Sequence, residues 1–406
     1  MVFDDCRHLP QRSVHRLLRI SGVSLAVALA LSAVAPARAA PVYTSYTLQS
    51  SLTVQTGEAP MAGLTAGLDG ALYGTAQSGG PVYWYNGTIF KRTPDGVVSV
   101  AHEFDNTTDG RKPSARLLQM PDGTLWGAAV FGGRGGWGTV FSFDPVSKAF
   151  KVLHSFAGGS DGSAPSGELL RTRDGLVYGT TNGSGSTNGG TIYSIDPVSG
   201  AYRQLYAFAL NSTLGHAPAA GLAQGTDGAL YGITSTGAGS SPGGSVYRFD
   251  ISRNTVSLVH QLAASEGCAA KATLYPAHNG KLYGSAQYCG AYGYGTLFTL
   301  ALPGKFTVLR SFNYSDGANP FAGVAEAPDG YLYGTTTAGG PGANGTAFRV
   351  LPDGSDFGLV MTSGAPGQTS NYPQGTLVLQ GNALWGTSAS GGNIRQGTIF
   401  SLTPAP

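Results

Sequence analysis

An aromatic–glycine step recurs seven times in this chain and sets the period of every other motif. The copies are spaced by about 52 residues, a period typical of repeat proteins, and they stand at Tyr73-Gly74, Trp126-Gly127, Tyr178-Gly179, Tyr231-Gly232, Tyr283-Gly284, Tyr333-Gly334 and Trp385-Gly386. In the first six copies an Asp-Gly or Asn-Gly step begins four residues before the aromatic. Such dipeptides accept positive φ angles, so each one predicts a tight hairpin turn.

Each repeat contains the signals of four short strands, labelled A to D. A proline stands thirteen residues before the aromatic in five copies, and it predicts the start of strand A because proline cannot donate to a sheet ladder. The aromatic–glycine step lies on strand B, whose apolar side chains alternate between both faces. A motif such as Gly87-Thr88-Ile89-Phe90 marks strand C, and an apolar run such as residues 152–156 marks strand D.

Four-stranded units with this period predict an all-β fold, a seven-bladed β-propeller with kelch-like spacing. The seventh unit lacks strand D, whereas residues 42–52 precede the first proline and belong to no unit. We expect this N-terminal segment to be the outer strand of the last blade, which closes the ring and leaves no free sheet edge. The alternative is an open β-solenoid, which would usually show capping repeats. We expect one domain over residues 40–406, and a monomer.

Residues 1–39 have the pattern of a secretory signal peptide. Four arginines precede the apolar run 23–31, and Ala37-Arg38-Ala39 provides a small-residue cleavage pattern. The alternative, a membrane anchor, would need an apolar run of about 20 residues. We therefore expect a secreted or periplasmic protein with no membrane span in the mature chain.

The remaining charge excludes nucleic acid as a partner. The signal segment holds five Arg and two Asp, so its removal leaves 19 basic against 20 acidic residues. Such a balance offers no basic footprint for phosphates. No P-loop, nucleophile elbow, HExxH or EF-hand pattern occurs, and we expect no cofactor and no metal site.

Two cysteines remain after the signal segment, Cys268 and Cys289. They flank the Asn279-Gly280 turn at nearly equal distances, so a hairpin centred on that turn brings them together. We predict a disulfide in the fifth blade, in keeping with an oxidising compartment. Two free buried thiols are the alternative.

The variable loops are predicted to carry any ligand site. In a propeller the D–A and B–C loops emerge on one face, and here they hold the variable residues, whereas the A–B and C–D turns are short and uniform. Exposed aromatic rings suit stacking on sugars or covering a partner protein, although they could instead pack against their own loops. The candidate ligand-binding residues are Tyr83, Trp84, Tyr85, Arg111, Phe131, Arg134, Trp137, Tyr288, Tyr292, Tyr294 and Arg395.

One position in strand A departs from the small residues that suit the crowded axis. Three residues after the proline position, the second and third copies carry Arg116 and Glu168 where the others carry Gly or Thr. We predict an ion pair there. It is either a structural bridge between blades or the floor of a pocket, with Glu168 as acid or base and Arg116 as anion holder. His216, on a D–A loop, completes the set of catalytic candidates.

The repeat resembles the GloVer tandem repeat of secreted bacterial proteins, also called choice-of-anchor tandem repeat proteins. The closest copy runs from Asp316 to Phe348, with Asp316-Gly317-Ala318-Asn319-Pro320, Asp329-Gly330-Tyr331-Leu332-Tyr333-Gly334-Thr335-Thr336 and Gly339-Gly340 before Gly345-Thr346. The likeness covers nearly all of the chain after the signal segment. It implies an exported propeller-like protein and no particular activity.

Three functions are compatible with these patterns. The leading hypothesis is a non-enzymatic exported scaffold that recognises a glycan or an extracellular protein through its loop-rich face. The alternative is a carbohydrate-active enzyme, a polysaccharide lyase or glycosidase, with its site at the mouth of the central channel. A purely structural role in the cell envelope is the third.

Overall fold

The computed structural model describes residues 42–184, 187–237, 243–363 and 370–404. Within these ranges the chain forms seven antiparallel sheets, and a single 3₁₀ turn at Gly159–Asp161 is the one helical element. The sheets are the blades of a β-propeller, which confirms the predicted all-β, seven-bladed fold. The predicted signal segment, residues 1–39, lies outside the described residues.

The first three blades follow one another along the chain, each running from the inner to the outer strand. Blade one contains β2 (Thr65–Ala66), β3 (Leu72–Ala76), β4 (Thr88–Arg92) and β5 (Val98–Glu103). Blade two contains β6 (Arg111–Pro113), β7 (Leu118–Gln119), β8 (Leu125–Phe131), β9 (Thr139–Phe143) and β10 (Phe150–Ser155). Blade three contains β11 (Leu170–Arg171), β12 (Val177–Thr181), β13 (Asn188–Ile195) and β14 (Tyr202–Ala209).

The remaining four blades repeat this order. Blade four contains β15 (Ala223–Gln224), β16 (Leu230–Thr234), β17 (Ser245–Asp250) and β18 (Thr255–Gln261). Blade five contains β19 (Tyr275–Pro276), β20 (Leu282–Ala286), β21 (Thr296–Ala301) and β22 (Lys305–Ser311). Blade six contains β23 (Ala325–Glu326), β24 (Leu332–Thr336), β25 (Thr346–Val350) and β26 (Gly358–Thr362). Blade seven contains β27 (Ser370–Pro373), β28 (Val378–Gln380), β29 (Ala383–Gly391) and β30 (Thr398–Pro404).

The N-terminal strand β1 (Tyr43–Ser51) completes the seventh blade, as predicted. It pairs antiparallel with β30, with Tyr46 opposite Leu402 and Leu48 opposite Phe400. The backbone amide of Tyr43 also donates a hydrogen bond to the hydroxyl of Tyr333 in blade six, at 3.0 Å. The first described strand therefore joins the last strand of the ring to a neighbouring blade.

The glycine of each aromatic–glycine step is required by the ring on the adjacent strand. In blade one, Gly74 pairs across the sheet with Phe90, and a Cβ on Gly74 would lie 2.3 Å from the Phe90 ring. The equivalent glycines of the other six blades face the Phe or Tyr of strand C in the same way. Because the ring covers the glycine, strands B and C pack without a gap in every blade.

The tyrosine of the same step is buried and hydrogen-bonded to the turn before it. The hydroxyl of Tyr178 donates to Asp174 Oδ2 at 2.8 Å, and Tyr178 is only 1% exposed. Burial, reinforced by this hydrogen bond, raises the pKa of Tyr178. The same bond forms at Tyr73, Tyr231 and Tyr333, so in these four blades the Asp of the Asp-Gly step anchors the core ring as well as shaping the turn.

The proline of each repeat contacts the preceding blade. Pro320 of blade six lies against Gly295, the first residue of the strand C motif in blade five, so that a Cβ on Gly295 would be 2.6 Å from Pro320 Cδ. Five further glycine–proline contacts repeat this arrangement, including the one between Gly397 and Pro60 that joins the last blade to the first. Every one of these glycines also has a positive φ. A side chain there is therefore disfavoured both by overlap with the proline and by the backbone conformation.

The residue before the proline position, which is occupied by Ala270 in blade five, has a left-handed backbone in all seven blades, with φ between 50° and 58°. None of the seven is glycine, and such a conformation costs roughly 1–2 kcal/mol for each. In six blades its N–H donates to a backbone carbonyl of the preceding blade, as Asn319 does to Tyr294 at 2.8 Å. These hydrogen bonds offset the backbone strain and hold neighbouring blades together.

The prediction that the proline begins strand A was wrong. Strand A begins five residues after the proline and pairs over two or three residues only, and in blade two Pro113 ends the additional strand β6. Residues 114–117 bulge away from strand B between β6 and β7. The proline is selected by its contact with the neighbouring blade, and the bulge directs the following residues toward the propeller axis.

We expect Gly295→Ala to lower the free energy of unfolding more than Gly330→Ala. Both glycines have positive φ, 95° and 83°, but a Cβ on Gly330 meets no atom within 4 Å. Gly330→Ala should therefore cost about 1–2 kcal/mol from backbone strain. Gly295→Ala should cost about 1–3 kcal/mol more, because its methyl group overlaps Pro320 and the Ala286 carbonyl. Urea denaturation measures both, and equal losses would contradict the role of this contact.

We expect Tyr178→Ala to destabilise the protein by about 3–5 kcal/mol, because it removes a fully buried ring. Tyr178→Phe keeps the ring and removes only the hydrogen bond to Asp174, so its cost should be about 1–2 kcal/mol. Both values follow from chemical denaturation curves. A loss below about 1 kcal/mol for the alanine variant would disagree with the burial of the ring.

Deletion of residues 42–52 should produce an aggregating protein. Without β1, strand β30 would present its unpaired N–H and C=O groups along the edge of blade seven. Size-exclusion chromatography with light scattering measures the outcome. A deletion variant that remained monomeric and as stable as the full chain would show that closure by β1 is dispensable.

Candidate functional site

The exposed aromatic side chains lie on one face of the propeller. We call the face formed by the D–A and B–C loops the loop face, and the opposite one the turn face. Within the described residues, all ten exposed aromatics belong to loop-face segments: Tyr83, Trp84, Tyr85, Phe131, Trp137, Tyr288, Tyr292, Tyr294, Tyr314 and Tyr372. The exposed large apolar residues of the turn-face turns, such as Val146 and Val198, are aliphatic. The loop face therefore carries a surface chemistry that the turn face lacks.

The exposed rings of blade one lie on a loop whose backbone is hydrogen-bonded to strand D of the same blade. The amides of Val82 and Tyr83 both donate to the carboxylate of Glu103 on strand D, the former at 2.8 Å. The neighbouring side chains of Trp84 and Tyr85 are 60% and 77% exposed. They do not pack into the core of their own loop, so their rings are available to a ligand.

A second aromatic group lies on blade five and is held by the predicted disulfide. Cys268 in the D–A loop is bonded to Cys289 in the B–C loop, with their Cα atoms 5.3 Å apart. Cys289 lies in the same loop as Tyr288, Tyr292 and Tyr294. The ring of Tyr294 lies 5.2 Å from that of Tyr314. The disulfide prediction is confirmed, and the bond restrains the loop that presents these tyrosines.

The central channel opens on the loop face into a cavity of about 260 Å³. The one to three residues that follow the proline position in each of the seven blades form its wall, so the cavity lies on the propeller axis. Its charged lining residues come from three different blades: Arg116, Glu168 and Lys271. We call this cavity the channel mouth.

The predicted ion pair between Arg116 and Glu168 is absent from the described part of the chain. Both side chains are half-buried and line the channel mouth, but the bulge before strand A places them above that strand rather than within it. Burial raises the pKa of Tyr275 in blade five, and the positive charge of Arg116 acts on it in the opposite direction. Because blades two and five lie across the ring from each other, Arg116 extends toward the axis instead of toward its neighbour.

Sequence reasoning missed Lys271 and Gln374, which lie one residue after the proline position in blades five and seven. Asn182, at the end of strand B in blade three, was missed as well. The sequence does contain a signal for Lys271 and Gln374. Residues one and three positions after the proline lie on the same side of an extended chain, so the first position can face the channel as well as the third. The side-chain oxygens of Asn182 and Gln374 are buried without a hydrogen-bond partner.

The other predicted residues lie outside the channel mouth. His216 forms a backbone bridge with Thr236 on the loop between blades three and four, and it does not line the cavity. Arg134 and Arg395 are exposed on the B–C loops of blades two and seven. Arg111 lies 5.6 Å from the ring of Phe131, as a cation over an aromatic face. The structure therefore does not bring His216 together with Arg116 and Glu168.

A larger cavity of about 560 Å³ lies on the turn face between blades three and four, but its charges neutralise one another. Arg248 bonds to Asp227 at 3.0 Å and Arg253 to Asp250 at 2.9 Å. By contrast, none of the charged side chains of the channel mouth has an ion pair within the described residues. The channel mouth is therefore the better candidate for a ligand site.

The described residues contain no arrangement of three or more His, Cys, Asp or Glu side chains suited to a metal ion. The histidines of the outer strands are each bonded to a nearby acid, as His154 is to Asp161 at 3.0 Å. Among the same residues, no helix is both long enough and apolar enough to cross a bilayer.

Comparison with known proteins identifies the repeat and the fold. The model of the Gloeobacter/Verrucomicrobia repeat matches residues 38–243 and 224–406. No curated protein sequence matches the chain significantly. A fungal alcohol oxidase of the AA5 family, solved in complex with copper, has a TM-score of 0.57 at 14% identity over 90% of this chain and 76% of its own.

Two further solved structures are similar to this chain. A chain of the mitotic checkpoint complex has a TM-score of 0.56 at 14% identity, over 96% of this chain and 99% of its own. TolB from Acinetobacter baumannii is 15% identical over 66% of this chain, with a TM-score of 0.42, and this chain spans 58% of its length. At such low identity the similarity concerns the propeller fold alone.

Proposed function

The chain belongs to the Gloeobacter/Verrucomicrobia repeat family, and we propose that it is an exported, non-enzymatic binding protein that recognises a glycan through its loop face. The observation that carries this proposal is the restriction of all ten exposed aromatics of the described chain to that face. Exposed Tyr and Trp rings offer flat apolar surfaces with a polar edge, which suit stacking against sugar rings. The exposed rings form two separate groups, one on blades one and two and the other on blade five. The two groups would contact different sugar residues of one glycan chain.

A glycan fits the centre of the loop face better than a protein does. The centre of a protein interface is depleted of charged residues. Here the centre is the channel mouth, which contains Arg116, Glu168 and Lys271 together with unpartnered amide oxygens. Sugar hydroxyls can both donate to and accept from such groups, so a carbohydrate matches the polar centre as well as the aromatic surroundings.

The lining of the channel mouth favours binding over glycoside hydrolysis. Glycosidases generally use two carboxyl groups on either side of the scissile bond. Glu168 is the one acidic side chain among the described residues that line the cavity, and neither His nor Tyr lines it. The carbohydrate-active enzyme considered from the sequence is therefore the less supported alternative.

An oxidising compartment is supported by the Cys268–Cys289 disulfide. Together with the signal pattern of residues 1–39, which lies outside the described residues, it leads us to infer a secreted or periplasmic protein. We expect it to act as a monomer, because β1 gives blade seven the outer strand that each of the other six blades has.

Glycan-array binding tests the proposal directly. Protein expressed from the full sequence in a host that exports it should bind one class of immobilised glycan. The double variant Trp84→Ala and Tyr85→Ala should weaken that binding by about tenfold or more, which corresponds to about 1.4 kcal/mol. The matched control is Val198→Ala, because Val198 is 95% exposed on the turn face. Its affinity should equal that of the wild type.

Three results would overturn the proposal. The first is that no glycan on the array binds, while the protein captures a cell-surface protein and loses that capture in the double variant of Trp84 and Tyr85. This result would identify a protein partner. The second is equal affinity of the double variant and the wild type. The third is the appearance of shorter fragments when a bound glycan is incubated with the protein, which would establish an enzyme.

A further inference from the structure

We infer that the channel mouth binds the carboxylate of an acidic sugar, a uronate residue of the glycan recognised by the loop face. The inference deepens the proposed function and rests on it. It assigns a chemical class to the ligand, and it assigns Arg116 and Lys271 as the groups that bind the carboxylate.

The charges of the channel mouth have no partners of their own. Arg116, Glu168 and Lys271 make no ion pair and no side-chain hydrogen bond within the described residues. Elsewhere in these ranges, some half-buried cations do form ion pairs, as Arg310 does with Asp316 and Lys91 with Asp69. Of the two cations of the channel mouth, Arg116 is half-buried and Lys271 is exposed. Two cations and one carboxylate leave the cavity with an excess positive charge. An anionic ligand would therefore find a favourable site there, and a planar guanidinium can bind a carboxylate through two parallel hydrogen bonds.

The acceptors of the cavity indicate that the same ligand carries hydroxyl groups. The uncharged polar side chains of Asn182 and Gln374 belong to the lining of the cavity and can offer acceptors to a ligand hydroxyl. Glu168 adds a third acceptor. A uronate has one carboxylate for the two cations and several hydroxyl donors for these oxygens, whereas a simple anion such as acetate has the carboxylate alone.

The size and position of the cavity suit one sugar residue within a longer chain. Its volume of about 260 Å³ is just below the roughly 300–1,000 Å³ typical of small-molecule pockets. The exposed aromatics lie on the same face, on blades one, two, five and seven and on the loop between blades five and six. A single acidic residue could therefore enter the channel mouth while its neighbours stack on the rim.

Titration calorimetry with four small probes tests the inference on the exported full-length protein. We expect D-glucuronate or D-galacturonate to bind at least tenfold more tightly than D-glucose, and more tightly than acetate. Sodium chloride should weaken uronate binding, because ions screen partly exposed charges. Glycine, the fourth probe, tests a zwitterion in place of an acidic sugar.

Substitutions identify the groups responsible. Arg116→Gln and Lys271→Gln should each weaken uronate binding by about tenfold, equivalent to about 1.4 kcal/mol, and leave glucose binding within twofold. The matched control is Arg203→Gln, because Arg203 is exposed on strand β14 of blade three and does not line the cavity. A thermal unfolding curve verifies that each variant folds, which we expect because Arg116 and Lys271 have no partners to lose.

Several outcomes would overturn the inference: equal affinity for uronates and glucose, equal affinity for acetate and uronates, tighter binding of glycine, or unchanged uronate affinity in Arg116→Gln. Its failure is distinguishable from that of the proposed function. A neutral glycan that binds with dependence on Trp84 and Tyr85, together with no uronate binding, would remove the inference and leave the glycan-binding role standing. Uronate binding that depends on Arg116, in a protein that captures no polymeric glycan, would overturn the proposed function and leave the carboxylate site standing.

Discussion

The close contact between the proline of one blade and the glycine of the blade before it determines how tightly the ring can form. In the contact between Pro320 and Gly295, the distance leaves no room for a Cβ atom, and the glycine has a backbone that other residues adopt only at a cost. The neighbouring left-handed residue adds a hydrogen bond across the same boundary. Six boundaries of this kind include the one between Gly397 and Pro60, so the ends of the ring meet by the same chemistry as its interior.

This contact also explains the conformation of the channel mouth. Because the proline is held against the preceding blade, the residues after it leave the sheet and turn toward the axis before strand A begins. The residue two positions on is small in every blade, whereas the positions on either side of it vary. The repeat thus constrains the wall of the channel and leaves its inward-facing side chains free to differ. Arg116, Glu168, Lys271 and Gln374 occupy those free positions.

The turn face carries interactions that stabilise the fold, whereas the loop face carries the exposed residues proposed for recognition. On the turn face, the Asp of the Asp-Gly step accepts a hydrogen bond from a core tyrosine in four blades, and in two of these it also pairs with a nearby cation. These charges therefore serve the fold. On the loop face, the longer connections carry exposed rings, and one pair of loops is joined by a disulfide. A polar cavity with unpaired charges lies on the propeller axis at the same face. The combination of a rigid ring, restrained aromatic loops and an open polar centre is that of a preformed recognition surface.

The amino-acid sequence alone determined the number of blades, the order of strands, the closure by residues 42–52 and the Cys268–Cys289 bond, because each depends on period or on local pairing across a turn. It also identified eight of the ten exposed rings, since these interrupt the repeat in the variable loops, but it did not identify Tyr314 and Tyr372. Only the tertiary structure decided which charged side chains meet. Arg116 and Glu168 occupy equivalent positions in adjacent blades and yet do not pair, while Lys271 joins them from blade five. Distances across a ring depend on its radius and on the bulge before strand A, and neither quantity is encoded in the spacing of residues along one blade.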